Sequence, residues 1–275
     1  MSRQLFIHPE HDETFKNSGF VILPFLEGNE IEKCLEIYAS LPEASPEKFH
    51  TSHWNRDENF RRAVNEKLSA ILSKKAEKFL NDYVAGYNYF LVKNPGPGSE
   101  VRLHQDWTLV DETQFTSVIF WCPLTDTNEK NGFFQYVKNS HRFMNNVRGT
   151  GIEPGYSAIM EEIENQFLTA VPLPAGQALV FDQRLLHASP ANRGDKTRIV
   201  VGTVLRPRES GFIHYAAKPA AKKYDLYEGG DDFLLKFAFG DDPDGLLTQT
   251  ILTKGLNDVL DFKKFRELFN QYLVI

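Results

Sequence analysis

Short runs rich in aromatic and β-branched residues fill the middle of this sequence and constrain its fold more than any other feature. Gly, Pro and Asn turn residues separate the runs, and no regular helical pattern lies between them. A parallel sheet would need helical crossovers, so the pattern favours an antiparallel sandwich or barrel. The runs occupy residues 87–93, 116–122, 132–137, 178–182 and 197–205. The sequence therefore predicts a mainly β fold with flanking helices.

The amino-terminal part, residues 1–86, is predicted to be mostly helical. A short helix over residues 10–16 precedes a short strand over residues 20–23. Asn29 is a candidate N-cap of a second helix, because apolar residues recur after it at helical spacing. Pro42 is expected to end that helix.

Helical patterns also occur on either side of the β runs. A long helix is predicted over residues 58–85, with Gly86 as its stop signal, because its apolar residues form one stripe. Residues 158–166 indicate a partly helical segment, and residues 254–273 suggest one or two closing helices.

We predict a single domain over residues 1–275, because no segment has the composition of a linker. Its parts are the helical residues 1–86, a β core over residues 87–206 and a mixed extension over residues 207–275. An insert at residues 149–170 interrupts the core and is expected to cover something.

Composition narrows the classes of function. The net charge is −6 and the pI is about 5.8, whereas a protein that binds a duplex needs a dense basic surface. No apolar run reaches the length of a membrane span, and the amino terminus lacks a signal peptide's apolar stretch. Two cysteines, Cys34 and Cys122, form no disulfide framework and no four-ligand zinc site. We therefore expect a cytoplasmic protein without nucleic-acid or membrane partners, and the oligomeric state stays open.

His104 and Asp106 are the first candidate metal ligands. They follow the turn signal at residues 94–98, where a strand is expected to begin. Residues i and i+2 of a strand project to the same face, so the pair can point together into a barrel. One His-x-Asp triplet is nevertheless a weak signal on its own.

Other histidines have less favourable surroundings. His8 and His11 belong to a polar run near the terminus, and we expect both at the surface. His50 and His53 lie between two predicted helices, where a surface position is favoured and a place at the mouth of a pocket is the alternative.

A second cluster of polar residues spans residues 178–198. His187 ends a β-like run, Ser189 shares its face, and Arg198 opens the next run, TRIVVGTVL. A buried arginine at that position needs an anionic partner. The ordinary interpretation is that Arg198 faces outward or pairs with Asp182 or Asp195, and on the arginine alone we favour the ion pair.

Two histidines and one carboxylate on one face of a metal suit non-haem Fe(II) and leave three coordination positions open. A 2-oxo acid and O2 can bind side by side at those positions. The planar guanidinium of Arg198 can grip the far carboxylate of 2-oxoglutarate through two parallel hydrogen bonds. The residues therefore favour a site that uses Fe(II), 2-oxoglutarate and O2.

Several blocks of the sequence together resemble the phytanoyl-CoA dioxygenase family of Fe(II)/2-oxoglutarate-dependent oxygenases. The resemblance spans roughly residues 13–206, and the blocks occur in the family's order. The blocks are FKNSGFVILPFL (15–26), LHQDW (103–107), FWCPLTDTNEKNGFFQYVKNSH (120–141) and AGQALVFDQRLLHASPANRGDKTR (175–198). The resemblance implies a double-stranded β-helix, the jelly-roll or cupin-like core.

The resemblance also implies roles for individual residues. It implies that the metal ligands are His104, Asp106 and His187 and that the 2-oxoglutarate contacts are Arg198, Ser189, Trp121 and, more weakly, Phe90. Relatives carry Pro-Gly-Ser-His where this chain has Lys138-Asn139-Ser140-His141, and we expect His141 to be a packed or hydrogen-bonded histidine. Relatives that halogenate lack the acidic ligand, so Asp106 disfavours halogenation.

The implied function is hydroxylation of an unactivated C–H bond of a small-molecule metabolite or natural-product intermediate, with release of succinate and CO2. Trp54, Trp107, Phe133 and Phe134 are candidates for the substrate pocket, although such residues more often belong to a core. One alternative is a metal-binding β-barrel that acts as a sensor or scaffold without catalysis. The other is a desaturase, cyclase or epimerase outcome at the same iron site.

Overall fold

A computed structural model describes residues 3–42, 47–218, 223–238, 240–255 and 257–273. Within them the α-helices are α1 (Pro9–Ser18), α2 (Gly28–Ala39), α3 (Glu58–Glu77), α4 (Met160–Phe167), α5 (Phe233–Lys236) and α6 (Phe262–Leu273). The strands are β1 (Phe20–Pro24), β2 (Phe49–Thr51), β3 (Tyr83–Lys93), β4 (Val101–His104), β5 (Val118–Pro123), β6 (Phe134–Val137), β7 (Leu168–Val171), β8 (Gln177–Asp182), β9 (His187–Ser189), β10 (Arg198–Pro207), β11 (Phe212–Lys218), β12 (Lys223–Gly229) and β13 (Thr248–Gly255). The prediction of a mainly β fold with flanking helices is confirmed.

The strands form three antiparallel sheets. The largest has the order β1-β8-β5-β10-β3-β2, and a four-stranded sheet has the order β4-β9-β6-β7. Strands β11, β12 and β13 form a third sheet after the core. Neighbouring strands within the first two sheets are mostly distant in sequence, as β5 and β8 or β3 and β10 are. This arrangement is the double-stranded β-helix that the family resemblance implies.

Helices cover the outer face of each large sheet. Apolar side chains of α1, α2 and α3 form one buried cluster with outward-facing residues of the six-stranded sheet, such as Val92 and Phe120. Phe265 of α6 and Ile163 of α4 belong to a cluster with Leu103 and Val137 of the four-stranded sheet. Burial of these faces stabilises the sheets by the hydrophobic effect. The inner faces, which carry alternate residues of each strand, are left to enclose a cavity.

Two helix predictions in the amino-terminal part were wrong at one end. α3 ends at Glu77, and residues 83–85 belong to β3 with Gly86 inside the strand. Asp82 takes a left-handed φ of 55° between the two elements, and the following residues pair with β10. The helix predicted to have Asn29 as its N-cap starts two residues earlier, because Glu27 is its N-cap.

The remaining helix predictions agree with the structure more closely. Residues predicted as a partly helical insert contain α4, which follows a short 3₁₀ turn at Ser157–Ile159. One closing helix, α6, lies within residues 254–273, whereas the first of those residues end β13. None of the helices in the described residues is long and apolar enough to cross a bilayer. The division into one domain with three parts stays a prediction.

Candidate active site

A cavity of about 480 Å³ lies between the inner faces of the two large sheets. Side chains from β3, β5 and β10 line one wall, and side chains from β4, β6 and β9 line the other. A concave, largely apolar cavity with a few convergent polar groups is the usual form of a small-molecule site. The polar groups that converge here are His104, Asp106, His187, Ser189 and Arg198.

The register of two short strands brings the two histidines together. His104 ends β4, His187 begins β9, and the two residues are direct antiparallel partners. Their ring centroids are 4.1 Å apart. Asp106 follows in the loop after β4, with its Oδ1 3.8 Å from Nε2 of His104 and its Oδ2 3.8 Å from Nε2 of His187. One ligand atom from each of the three residues lies within 4.8 Å of the others, so the group can hold one metal ion.

Backbone carbonyls fix the orientation of both imidazoles. Nδ1 of His104 donates to the carbonyl oxygen of Arg102 at 2.9 Å, and Nδ1 of His187 donates to that of Leu185 at 2.9 Å. Each ring therefore presents the lone pair of Nε2 to the cavity, as a metal ligand must. Burial, and then the neighbouring His104, keeps the pKa of His187 well below its ordinary value, so its neutral form is favoured.

The main chain of Asp106 is hydrogen-bonded to Arg148, whereas one oxygen of its carboxylate has no hydrogen-bond partner. Nε of Arg148 donates to the carbonyl oxygen of Asp106 at 2.8 Å, and Arg148 also forms a two-pronged pair with Glu112. Oδ2 of Asp106 is buried without a hydrogen-bond partner. Burial raises the pKa of Asp106, an effect that a divalent cation beside the carboxylate would oppose.

A buried guanidinium marks the other end of the cavity. Arg198 is 2% exposed, and its Nη1 donates to the carbonyl oxygen of Gly132 and to Oγ of Ser189. Its guanidinium carbon lies 5.4 Å from the ring centroid of Trp121. Nε of Arg198 is buried without a partner, and burial lowers its pKa to about 9. Arg198, Ser189 and Trp121 thus lie together, as the resemblance implies.

The ordinary interpretation of Arg198 was wrong. The arginine does not face outward, and neither predicted carboxylate pairs with it, because Asp182 is bound by Arg184. No ion pair of Arg198 with Asp195 forms either in the part of the chain that the structure describes. Arg198 therefore points into the cavity, and no carboxylate among the described residues pairs with it.

Phe90 does not line the cavity, and its assignment to the cosubstrate wall is wrong. Its ring packs 5.4 Å from Tyr38 in the cluster beneath the amino-terminal helices. The adjacent residues Tyr89 and Leu91 line the cavity instead. Because strand residues alternate between faces, a shift of one position reverses the assignment.

The wide end of the cavity has aromatic walls. His53, for which a surface position was favoured and the mouth of a pocket was the alternative, lines the cavity with ring centroids 4.9 Å from Tyr87 and 6.5 Å from Trp107. Trp54 lies at the mouth and is 38% exposed. Burial, and then the charge of Arg61, lowers the pKa of His53 to about 4, so this imidazole is neutral near neutral pH.

The other predicted residues divide between the cavity and the core. Phe134 lines the cavity and stacks on His187 with centroids 5.1 Å apart, whereas Phe133 is not among the lining residues. His141 is buried, and its Nε2 donates to the carbonyl oxygen of Lys16 at 3.1 Å, as expected of a packed histidine. His8 and His11 lie on or beside α1, away from the cavity.

The family model for phytanoyl-CoA dioxygenase (PhyH) matches residues 39–200. This chain therefore belongs to the phytanoyl-CoA dioxygenase family of Fe(II)/2-oxoglutarate-dependent oxygenases. The matched residues contain the two histidines, the aspartate and the arginine described above. The family identification from the sequence blocks is confirmed.

A zebrafish (Danio rerio) protein named phytanoyl-CoA dioxygenase domain-containing protein 1 is 26% identical over 148 residues. That match covers 51% of this chain and 50% of the relative, so the chain spans about half the length of the curated relative that it matches.

Three solved structures share the fold. They are the non-haem α-ketoglutarate-dependent epimerase SnoN (16% identity, 93% of each chain, TM-score 0.53), the carbocyclase SnoK (19% identity, 75% of this chain and 86% of that chain, TM-score 0.52), and HygX from Streptomyces hygroscopicus with nickel and 2-oxoglutarate bound (16% identity, 74% and 88%, TM-score 0.52). SnoN and SnoK both come from nogalamycin biosynthesis.

Proposed function

We propose that this chain is an Fe(II)/2-oxoglutarate-dependent dioxygenase that hydroxylates an unactivated C–H bond of a small-molecule metabolite or natural-product intermediate. The observation that carries the proposal is the presence in one cavity of the His104, Asp106 and His187 group and of the buried guanidinium of Arg198. A two-histidine, one-carboxylate group with open positions suits non-haem Fe(II). A guanidinium suits the distal carboxylate of 2-oxoglutarate.

The three side chains fit a divalent cation. Both imidazoles have their Nδ1 hydrogens engaged by backbone carbonyls, which leaves each Nε2 free to act as a ligand. The partnerless Oδ2 of Asp106 supplies the negative charge. Bound Fe(II) with 2-oxoglutarate and O2 supplies the oxidising chemistry, in which the 2-oxo acid leaves as succinate and CO2 and the substrate gains a hydroxyl group.

The chain's own residues supply placement and shielding. Arg198 and its hydroxyl partner Ser189, whose Oγ accepts a hydrogen bond from Nη1 of the guanidinium, would hold the distal carboxylate of the 2-oxo acid. The rings of Trp121 and Phe134, 5.8 Å apart, exclude water from that end. The aromatic rings of Tyr87 and Trp107, which line the same cavity, would bound the substrate.

These walls also indicate the class of substrate. Beyond the metal ligands and Arg198, the charged residue that lines the cavity is Arg102, whose guanidinium already pairs with Glu164. The wide end presents the rings of Tyr87 and Trp107 and the neutral imidazole of His53. We propose an uncharged, ring-bearing substrate, because a phosphorylated or coenzyme-A substrate needs cations that the described lining does not offer.

Two other outcomes are distinguished by experiment. SnoK and SnoN are named as a carbocyclase and an epimerase, so cyclisation or epimerisation on the same site is the second candidate and identification of the product decides. A metal-binding scaffold would bind Fe(II) without 2-oxoglutarate. The cytosol is the proposed setting, in agreement with two free, buried cysteines.

The decisive experiment is anaerobic calorimetry of 2-oxoglutarate with the Fe(II)-loaded protein. Arg198→Met should weaken binding by roughly thirtyfold, about 2 kcal/mol for a lost charge-assisted interaction, while metal is retained. Arg102→Met, which removes an exposed guanidinium at the same cavity, is the matched control and should bind normally. Metal binding without 2-oxoglutarate binding would establish the scaffold. Succinate release during a screen of neutral polycyclic compounds then tests catalysis.

A further inference from the structure

A second buried cation lies directly beside Arg198. Lys93 ends β3, Arg198 begins β10, and the two are direct antiparallel partners, so their side chains share one face. Lys93 is 0% exposed and Arg198 is 2% exposed. Like charges directly opposite each other on a sheet are destabilising, and burial increases that cost. The pair therefore needs a physical explanation.

The two cations share one hydroxyl oxygen. Nζ of Lys93 donates to Oγ of Ser189 at 2.8 Å, to the carbonyl oxygen of Ser189 at 2.8 Å and to that of Pro190 at 2.6 Å. Nη1 of Arg198 donates to the same Ser189 Oγ at 3.3 Å. Oγ of Ser189 in turn donates to the carbonyl oxygen of Gly132. Three acceptors around Nζ match the three N–H groups of an ammonium, whereas a neutral amine has two.

No protein carboxylate neutralises this pair. Among the described residues neither cation takes part in an ion pair, and the one carboxylate that raises the pKa of Lys93 is the exposed Glu100. Burial, and then the charge of Arg198, lowers the pKa of Lys93 to about 6. The hydrogen bonds around Nζ suit an ammonium, whereas burial beside Arg198 opposes its charge, so an anion at this end of the cavity would stabilise the protonated form.

We propose that Lys93 is a positioning residue that makes the cosubstrate end of the cavity selective for a dicarboxylate 2-oxo acid over a monocarboxylate one. Its Nζ is not among the groups that line the cavity, so it acts through Ser189, whose hydroxyl it holds beside Arg198. It also adds a second positive charge behind the distal carboxylate. This inference rests on the proposed function, because it takes 2-oxoglutarate as the anion that Arg198 and Lys93 stabilise.

The test compares two ligands that differ only at the distal carboxylate. Binding of 2-oxoglutarate and of 2-oxovalerate, which has a methyl group there, is measured by calorimetry on the Ni(II)-loaded protein. Lys93→Met, which keeps the apolar stem, should weaken 2-oxoglutarate binding by about tenfold when binding is measured below about pH 6, where Lys93 is protonated. Binding of 2-oxovalerate should stay within twofold. Lys48→Met is the matched control, because it removes an exposed lysine that donates to the carbonyl oxygen of Pro95, just after Lys93.

If Lys93→Met weakens the binding of both ligands equally, or of neither, the role of Lys93 is overturned and the proposed function stays intact. Failure of the wild-type protein to bind 2-oxoglutarate would overturn both. A second measurement uses the wild-type protein, in case Lys93→Met does not fold. In lysine-labelled, Zn(II)-loaded protein, 2-oxoglutarate should raise the midpoint of the Lys93 titration by about one pH unit, and 2-oxovalerate should not. An unmoved midpoint contradicts the inference.

Discussion

Arg148 connects the fold to the proposed metal centre, and its removal should affect both stability and metal binding. Its side chain is 6% exposed, donates to the carbonyl oxygen of Asp106 at 2.8 Å and binds Glu112 at 2.6 and 2.7 Å. Arg148→Met leaves a carboxylate that is 17% exposed without its partner. Removing one member of a buried pair lowers the free energy of unfolding by roughly 3–5 kcal/mol. Because Glu112 is partly solvated, we expect the lower end of this range, about 3 kcal/mol.

Loss of the hydrogen bond to Asp106 should also weaken metal binding by roughly 10- to 100-fold, since partners of ligands orient them. Chemical denaturation gives the first quantity, and competition with a chelator gives the second. Arg208→Met is the control, because its pair with Asp82 is 59% and 64% exposed and should contribute at most about 1 kcal/mol. In the double variant Glu112→Gln/Arg148→Met, stability should partly return and metal affinity should not. Equal destabilisation by Arg148→Met and Arg208→Met would refute the electrostatic argument, and unchanged metal affinity would confine Arg148 to a structural role.

Three further predictions follow from single contacts. Gly202→Ala would place a Cβ 2.5 Å from the ring of Tyr89, so the ring must move into the cavity. Denaturation should show a loss of roughly 1–3 kcal/mol, and 2-oxoglutarate binding should be retained while substrate-dependent succinate release falls. Because the pKa of Lys93 is lowered to about 6, its side chain is mostly neutral above that pH. It must then take up a proton when the anion binds. Calorimetry should therefore show 2-oxoglutarate affinity falling as pH rises above 6, with a flat profile for Lys93→Met. His141→Ala should leave metal affinity unchanged, since its ring bonds only to the carbonyl oxygen of Lys16, and a chelator competition that shows metal loss would contradict this.

Local patterns predicted several of the strands and singled out the candidate metal ligands. Runs rich in aromatic and β-branched residues, bounded by Gly, Pro and Asn turns, mark β3, β5, β8 and β10 within a few residues. His104 was a candidate because it pairs with Asp106 after the turn at residues 94–98, and His187 because it was predicted to end a β-like run beside Ser189. The family's blocks then placed them on a common site. These signals depend on residues that are close together in the sequence, so they can be recognised in one sequence without a structure.

Features that depend on long-range register were not predictable. The end of α3 is decided by pairing of β3 with β10, more than a hundred residues later in the chain. The direct opposition of Lys93 and Arg198 is set by the same pairing. Phe90 was assigned to the wrong face because alternation defines two faces but not which of them is inside. His53 reaches the cavity through packing against Tyr87, for which the sequence carries no local signal.

Formation of the proposed iron site can be followed by visible absorption. Fe(II) and then 2-oxoglutarate are added without oxygen to the wild-type protein and to His187→Ala, and the visible absorption spectrum is recorded. We predict a weak charge-transfer band in the wild type, formed with one equivalent of each component, and no band in the variant. A band that survives loss of the imidazole, or wild-type protein that takes up Fe(II) and 2-oxoglutarate without one, would show that the three residues do not form the iron site.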